Sequence, residues 1–434
     1  MSTVAEVRLW ETTIGAVALE DGSDVAVFEY EPSFVDSGVD VAPITMPVST
    51  RLHTFPELPV STFHGLPGML ADSLPDRFGN AILDVWLSAQ GRTASSLNAV
   101  ERLCYIGSRG MGALEYHPMH KPTMRESEKL HIDHLVELAS QVLHGRNAVV
   151  ARFENDPKGL LDILRVGTSA GGARAKAVIA WNPNTNEVRS GQIKAGDGFE
   201  YWLMKFDGVP SNGIGTHTDP LGYGAIEFAY YLMACDAGIV MSESRLFEEN
   251  SRRHFMTKRF DRLANGDKLH MQSLGALTHA DYNMPGAYSY DQAFQLMRRL
   301  ELPHSDVEQL YRRMVFNILA ENRDDHVKNI AFLMDRNGVW RLAPAYDIVY
   351  AFDPSNRWIS LHQMMINGKR DTIELVDLYA TAKNATIKKA RAKAIVDEVQ
   401  QAVHNWPTHA SAAAVDQRQV AAIERAITIC YSGV

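Results

Sequence analysis

The chain has 434 residues, 46% hydrophobic and 22% charged, with a formal net charge of −9 at pH 7. That length exceeds one compact core, so two or three folding units are expected, and the acidic balance excludes a surface that wraps nucleic acid indiscriminately. Cys104, Cys235 and Cys430 are too few and too scattered for a disulfide framework or a thiolate zinc site and read as buried thiols.

The N-terminus, MSTVAEVRLWETT, has neither the basic nor the apolar region of a signal peptide, and no apolar run approaches the ~18 to 20 residues that span a bilayer. A cytoplasmic protein with no membrane partner is the expectation. Over residues 1–120 the runs VRLW, TIGAVAL and VAVFEY, separated by ETT and DGSD, predict a β-rich, antiparallel subdomain. LPGMLADSLPDRFGN then leads into AILDVWLSAQG, whose spacing predicts a helix stopped by Gly91. HPMHKPTMRE reads as a linker. Residues 121–264 read as mixed α/β, with a helix near 130–144, strands at AKAVIAW and YWLMKF, and a helix from Asp219-Pro220 to Gly238. From 265 to 434 the pattern is mainly helical, through the Ala- and Lys-rich run 380–403 to a last helix at AAIERAITI. No internal repeat interrupts this order.

NRDDHVKN, residues 322–329, sets seven polar side chains around a lone Val327. Before it, Ser305 and Glu308 are spaced as a capping box, and Val307, Leu310, Tyr311, Met314, Val315, Ile318 and Leu319 mark one buried helical face. After it, IAFLM and VWRLA flank Asn337-Gly338, the signature of a two-residue hairpin turn. Such a hairpin returns Asp347 to within ~5 to 8 Å of Asn329. Asp324 and Asn329 have the D-x-x-x-x-N spacing of a kinase catalytic loop: Asp324 would meet a substrate hydroxyl, Asn329 and Asp347 would offer hard oxygen ligands to Mg²⁺, and Lys328 would neutralise developing charge. The alternative is a helix end followed by a solvated polar loop.

Phosphoryl transfer also needs a nucleotide site. Gly167–Lys176, GTSAGGARAK, offers a phosphate loop through Ser169, Gly171, Gly172, Ala173 and Lys176, or else a plain turn. In YWLMKF, alternation separates Tyr201, Leu203 and Lys205 from Trp202, Met204 and Phe206. Lys205 either reaches the ATP phosphates, with Glu227 as its ion-pair partner, or snorkels from an edge strand. HFMTKRFDR has the place of a hinge, with backbone of Lys258 and Phe260 for adenine and Asp261 for ribose; Asp261 and Arg262 could equally be a turn-stabilising ion pair. His326 is grouped with the nucleotide contacts in this reading.

Taken together, and in this order, LPGMLADSLPDRFGN, SAGGARAKA, WLMKF, TKRFDR, NRDDHVKN and LAPAYDI resemble the segments of the HipA family, bacterial serine/threonine kinases that are toxins of toxin–antitoxin pairs. The resemblance spans most of the chain. It implies an α+β, protein-kinase-like two-lobed fold with a β-rich N-terminal subdomain and a mainly helical C-lobe. Asp324 would be catalytic, Asn329 and Asp347 would bind Mg²⁺, Lys205 would bind ATP, and Ser169 would be an autophosphorylated switch. It also implies a protein substrate and a small helix-turn-helix antitoxin through which DNA is reached. Arg174-Ala175 precedes Lys176 where related sequences often have proline or glutamate, and Lys258 replaces a frequent acid. Two rival readings are a metal-dependent phosphoesterase or nuclease using Asp324, Asp325, His326 and Asp347, and a non-catalytic co-repressor of kinase shape.

Overall fold

The computed structural model describes residues 2–93, 96–119, 129–144, 157–167, 174–192, 195–209, 221–263 and 265–431. The chain forms two compact units, Met1–Leu221 with Phe247–Met271 and Arg336–Gly338, and Gly222–Leu246 with Gln272–Asp335 and Val339–Val434. Ranges 1–120 and 121–264 thus both contribute to the first unit.

Two sheets organise the first unit. Strands β1 (Thr3–Leu9), β2 (Thr12–Leu19), β3 (Val27–Tyr30) and β4 (Leu114–His117) form an antiparallel sheet in the order β3-β2-β1-β4. Its first reversal pairs Leu9 with Thr12 across Trp10 and Glu11, both at positive φ (48° and 71°), which matches the strand twist as a primed turn does. Strands β5 (Lys176–Asn182), β6 (Glu187–Ser190), β7 (Glu200–Lys205), β8 (Ser244–Glu249) and β9 (Arg252–Lys258) form the second, in the order β6-β5-β7-β9-β8. The longer described helices of this unit are α1 (Arg77–Ala89), α2 (Ala99–Ile106), α3 (Ile132–His144) and α4 (Pro157–Gly167). Asp76 caps α1, and Gly91 (φ 71°) follows its end as expected. Phe78 and Ile82 of α1, Leu135 of α3, Ile163 of α4, Ile179 of β5 and Trp202 and Met204 of β7 share one core. The expected alternation on β7 holds, for Trp202, Met204 and Phe206 are all buried. This common core draws sequence before and after residue 120 into a single unit, each large side chain contributing roughly 1.5–3 kcal/mol by leaving water.

The second unit is mainly helical: α5 (Tyr223–Asp236), α6 (Tyr290–Arg299), α7 (His304–Leu319), α8 (Leu375–Asn384), α9 (Lys389–His404), α10 (Trp406–Ala412) and α11 (Gln417–Tyr431). Asp219-Pro220 lies outside the described residues; α5 begins after Gly222 (φ 97°) and stops, as expected, at Gly238 (φ 75°). The run 380–403 is divided between α8 and α9, with Thr386 at φ 62° between them. Cys235, expected buried, is exposed on α5, while Cys104 is buried.

All seven apolar residues expected on the inner face of α7 are buried. Its cap differs from expectation. The helix starts at His304 after Pro303, and no side chain caps it. Asp306 in the first turn instead accepts bonds from Nε and Nη2 of Arg341 and from the backbone N–H of Leu342, tying α7 to the hairpin. That hairpin, β11 (Ala331–Met334) and β12 (Trp340–Leu342), pairs Phe332 with Leu342 and Met334 with Trp340 and joins β10 (His270–Ser273) in a three-stranded sheet. Its loop runs from Asp335 to Val339 rather than through two residues, because only Gly338 takes positive φ (79°) and Asp335 Oδ1 accepts the Val339 N–H. The extra loop residues leave the strand register intact, so the far ends of the hairpin still return together.

Candidate active site

The site is built where α7 ends. Ala320 closes the helix, Glu321 turns into the left-handed region (φ 52°), and Asn322 bridges Ala351 in parallel. The backbone is held on both sides of that bridge, by Arg323 N–H to Ala351 O (3.1 Å) and Ala351 N–H to Glu321 O (3.0 Å). Farther on, Val327 enters the core, as expected, and its carbonyl accepts the Gly275 N–H.

The adjacent aspartates Asp324 and Asp325 have opposite environments. Asp325 points inward and its side chain is 1% exposed. It accepts bonds from Tyr290 OH (2.9 Å) and the Gln363 N–H (2.7 Å), with His362 Nδ1 at 3.3 Å. Asn317 donates to Tyr290 OH (3.1 Å) and Asn322 donates to Asn317 (2.9 Å), so a buried polar chain links α7, α6 and the 362–363 segment to the loop. Burial holds the Tyr290 phenol far above its usual range, which keeps it a donor to Asp325. Asp324 points outward. Its side chain is 48% exposed, and Oδ1 lies 3.9 Å from Nε2 of His326. A carboxylate reachable from solvent can receive a hydroxyl; one committed to three partners cannot.

Asn329 and Asp347 line one small pocket together with Asp325, His326, Tyr346 and Arg313. The Asn329 Nδ2 group donates to the Asp324 carbonyl (2.9 Å), which turns its oxygen to the other side and makes Oδ1 the group on offer to a cation. Asp347 sits at φ 55°, a left-handed conformation that aspartate tolerates and most residues resist. The surrounding backbone enforces it. Arg313 Nη2 donates to Ala343 O (2.6 Å), Ala345 N–H donates to Val240 O (2.8 Å), and Tyr346 OH donates to Lys328 O (2.6 Å). Arg313 is buried, and burial lowers its pKa to about 10, so it remains a cation at neutral pH in the lining of this pocket. Its Nε and Nη1 meet no protein acceptor.

Lys328 lies 4.9 Å from the Tyr282 ring centroid, in the same loop as Asp324. Lys205 is buried at the end of β7 with its Nζ 5.8 Å from the Phe255 ring centroid, so it is no snorkelling edge-strand lysine. Glu227 is buried on α5, in the second unit. Ser169, Gly171, Gly172 and Ala173 lie outside the described residues. Two expectations are corrected. Lys176 is not presented as a phosphate ligand: it is buried, and its Nζ is 3.0 Å from Asp76 Oδ2. Asp261 is not a ribose contact: it is wholly buried between Arg259 and Arg262 (2.7 Å each) and accepts the Gly112 N–H. Burial alone would raise the Asp261 carboxyl, but the two guanidinium groups outweigh it and hold the group far below the usual carboxylate range. Lys258 closes β9 with its ammonium 2.6 Å from Glu200, and Phe260 is half-buried in the following turn. The ligand set Asp324, Asp325, His326 and Asp347 is broken by the commitment of Asp325, and among the described residues no three His, Cys, Asp or Glu side chains form a metal cluster.

Sequence reasoning missed Tyr290, Arg313, Asn317, His362 and Gln363. A signal existed for one of them: Asn317 interrupts the apolar run 314–319 at the end of α7, where a buried polar group needs a specific partner.

An α+β, kinase-like arrangement is the class of protein that this fold defines. The chain belongs to the HipA family: the profile of the HipA N-terminal domain matches residues 5–117 and that of the HipA-like C-terminal domain residues 168–406. Two curated relatives are "Putative kinase Y4mE" of Sinorhizobium fredii, 30% identical over 137 residues (30% of this chain, 32% of that protein), and a "Putative kinase" of Haemophilus influenzae, 31% identical over 103 residues (22% and 30%). The matched part of the chain spans about a third of the length of these curated relatives. Among solved structures, HipA of Shewanella oneidensis MR-1, determined with HipB and its operator DNA, superposes with a TM-score of 0.66 at 16% identity, covering 99% of this chain and 96% of that one. That likeness shows the fold.

Proposed function

We propose that this chain is a HipA-type serine/threonine protein kinase that uses ATP and Mg²⁺. The observation that carries the reading is a pocket shared by Asn329 and Asp347, with Asn329 bonded to the backbone of an outward Asp324 that does not itself line the pocket. The donor set fits the ion, being two hard oxygens, one a carboxylate. Bound there, Mg²⁺ would neutralise phosphate charge. Asp324 would orient the acceptor hydroxyl and take its proton, Lys328 would offset charge on the transferring group, and Lys205 would hold the ATP phosphates. Positioning and charge compensation would supply most of the rate enhancement. Autophosphorylation of Ser169 and nucleotide contacts from Gly171, Gly172 and Ala173 belong to the same proposal.

A small helix-turn-helix antitoxin is the proposed partner, with DNA reached only through it. The solved relative in complex with HipB and operator DNA supports this, and a net charge of −9 suits a chain that leaves DNA contact to a partner. Among the described residues, no helix is long and apolar enough to cross a membrane.

Transfer of labelled γ-phosphate, followed by peptide mapping and accompanied by nucleotide titration, tests the reading. Asp324→Ala is expected to lower transfer at least ~100-fold, the lower end of what a positioned acid–base group supplies, while nucleotide affinity stays within a few-fold. Undiminished transfer in that variant would overturn the assignment.

A further inference from the structure

Asp324 stands between two residues that are both tied to one later segment, 351–371, which has no task in the catalytic reading. All of them lie in the second unit. On one side, Arg323 sets its guanidinium 4.1 Å from the Phe352 ring centroid, donates through Nη1 to the Ser360 carbonyl and lies 3.6 Å from Asp371. On the other, Asp325 accepts the Gln363 N–H at 2.7 Å. The segment also closes on itself, for the His362 N–H donates to Arg370 O (3.0 Å) and Arg370 Nε donates to His362 O (2.6 Å).

Arg323 is itself fixed by Glu321. Its Nε lies 2.5 Å from Oε2 and its Nη2 3.2 Å from Oε1, and the two side chains are 12% and 4% exposed. A two-pronged guanidinium–carboxylate pair withdrawn from water is of the strong kind, and removal of one partner leaves the other uncompensated. Glu321 makes this pair from φ 52°, a conformation that glycine takes freely and that strains other residues. A side chain is therefore used where none would be easier. Kinase activation loops are ordered by phosphorylation through new pairs between arginine and phosphate. Here the arginine beside Asp324 is already met by a carboxylate of its own chain. We propose that Glu321 takes the place of such a phosphate: Glu321 and Arg323 are positioning residues that hold segment 351–371 and the backbone of Asp324 in working order, with no modification of the segment required. This rests on the proposed kinase reading.

Glu321→Gln removes the charge and keeps the volume, and Arg323→Met removes the cation and keeps the stem. In the full chain, both and their double variant are assayed for self-labelling with labelled γ-phosphate at saturating ATP, with nucleotide titration and thermal unfolding alongside. Amide hydrogen exchange over residues 351–371 is recorded without nucleotide, on the variants and on the unaltered chain before and after phosphatase treatment. Each single variant is expected to speed exchange in the segment and to slow labelling by about tenfold or more, with nucleotide affinity changed by less than about threefold and the double variant no worse than the worse single. The phosphatase-treated chain is expected to keep its slow exchange and to label without a lag. Faster exchange or a lag after that treatment would overturn the proposal in favour of a phosphate-dependent segment, and so would unchanged exchange and labelling in Glu321→Gln. The phosphatase comparison needs no substitution, so it decides even if Glu321→Gln does not fold. If the unaltered chain transfers no phosphate, the kinase reading fails instead, and exchange still decides whether the pair holds the segment.

Discussion

Asp324 and Asp325 are indistinguishable by composition, and their spacing from Asn329 differs by one. What separates them is a buried acceptor position that Tyr290, His362 and Gln363 create for Asp325 alone. Those partners lie 35 or more positions away, so local pattern identifies the loop but not which carboxylate is turned outward. The D-x-x-x-x-N spacing points to Asp324, the outward one, and Asn329 is locked to the Asp324 carbonyl, a bond that depends on the number of intervening residues. Asp325→Asn and Asp324→Asn are therefore expected to behave differently in denaturant. The first should cost on the order of 2 kcal/mol, as a buried charge-assisted bond is weakened, and the second within about 0.5 kcal/mol. Equal midpoints in urea unfolding would contradict the inward assignment.

At the scale of elements, α7 and the β11–β12 hairpin were legible because each declares itself through periodicity. The apolar repeat of α7 was read correctly at every position, since burial on one face needs no knowledge of the partner. Its cap was misread because Asp306 serves the hairpin, a long-range use of a residue whose local role looks sufficient. The turn was misread for a related reason: Asn-Gly suits a two-residue reversal, but the Asp335 side chain captures the Val339 N–H and enlarges the loop. Because α7 is the floor on which the loop stands, Met314→Ala, at a fully buried position, should lower stability by about 2–5 kcal/mol. Chemical unfolding measures this, and a loss below about 1 kcal/mol would mean that the helix is not the rigid element described.

In the molecule as a whole, buried histidines that resist protonation shape the response to acid. His254 and His270 are buried in the first unit, and burial lowers each pKa to about 4. In His254 the Nδ1 atom accepts the Asp207 N–H, which a neutral ring allows. Unfolded histidines bind protons near pH 6.5, so this contribution is complete above 6.5 and is lost as pH falls toward 4, on the order of 3 kcal/mol for each ring. His270→Gln should flatten the fall in urea midpoint between pH 7.5 and 5; an unaltered slope would show that the ring is already charged in the folded protein. The division into units was only partly legible, because strands and helices announce themselves in order while their allegiance depends on packing. Helix α5 follows β7 in sequence but belongs with α9 and α10, where Tyr230 meets Trp406 edge-on at 5.3 Å and donates to Ala320 O. Tyr230 and Trp406 are 406 − 230 = 176 positions apart. On the ribosome, α5 therefore leaves the exit tunnel long before its packing partners are synthesised, and it stays without them while the chain beyond it is translated. Completion of the second unit waits for α9 and α10, so vectorial synthesis leaves α5 without its packing partners until those helices have emerged.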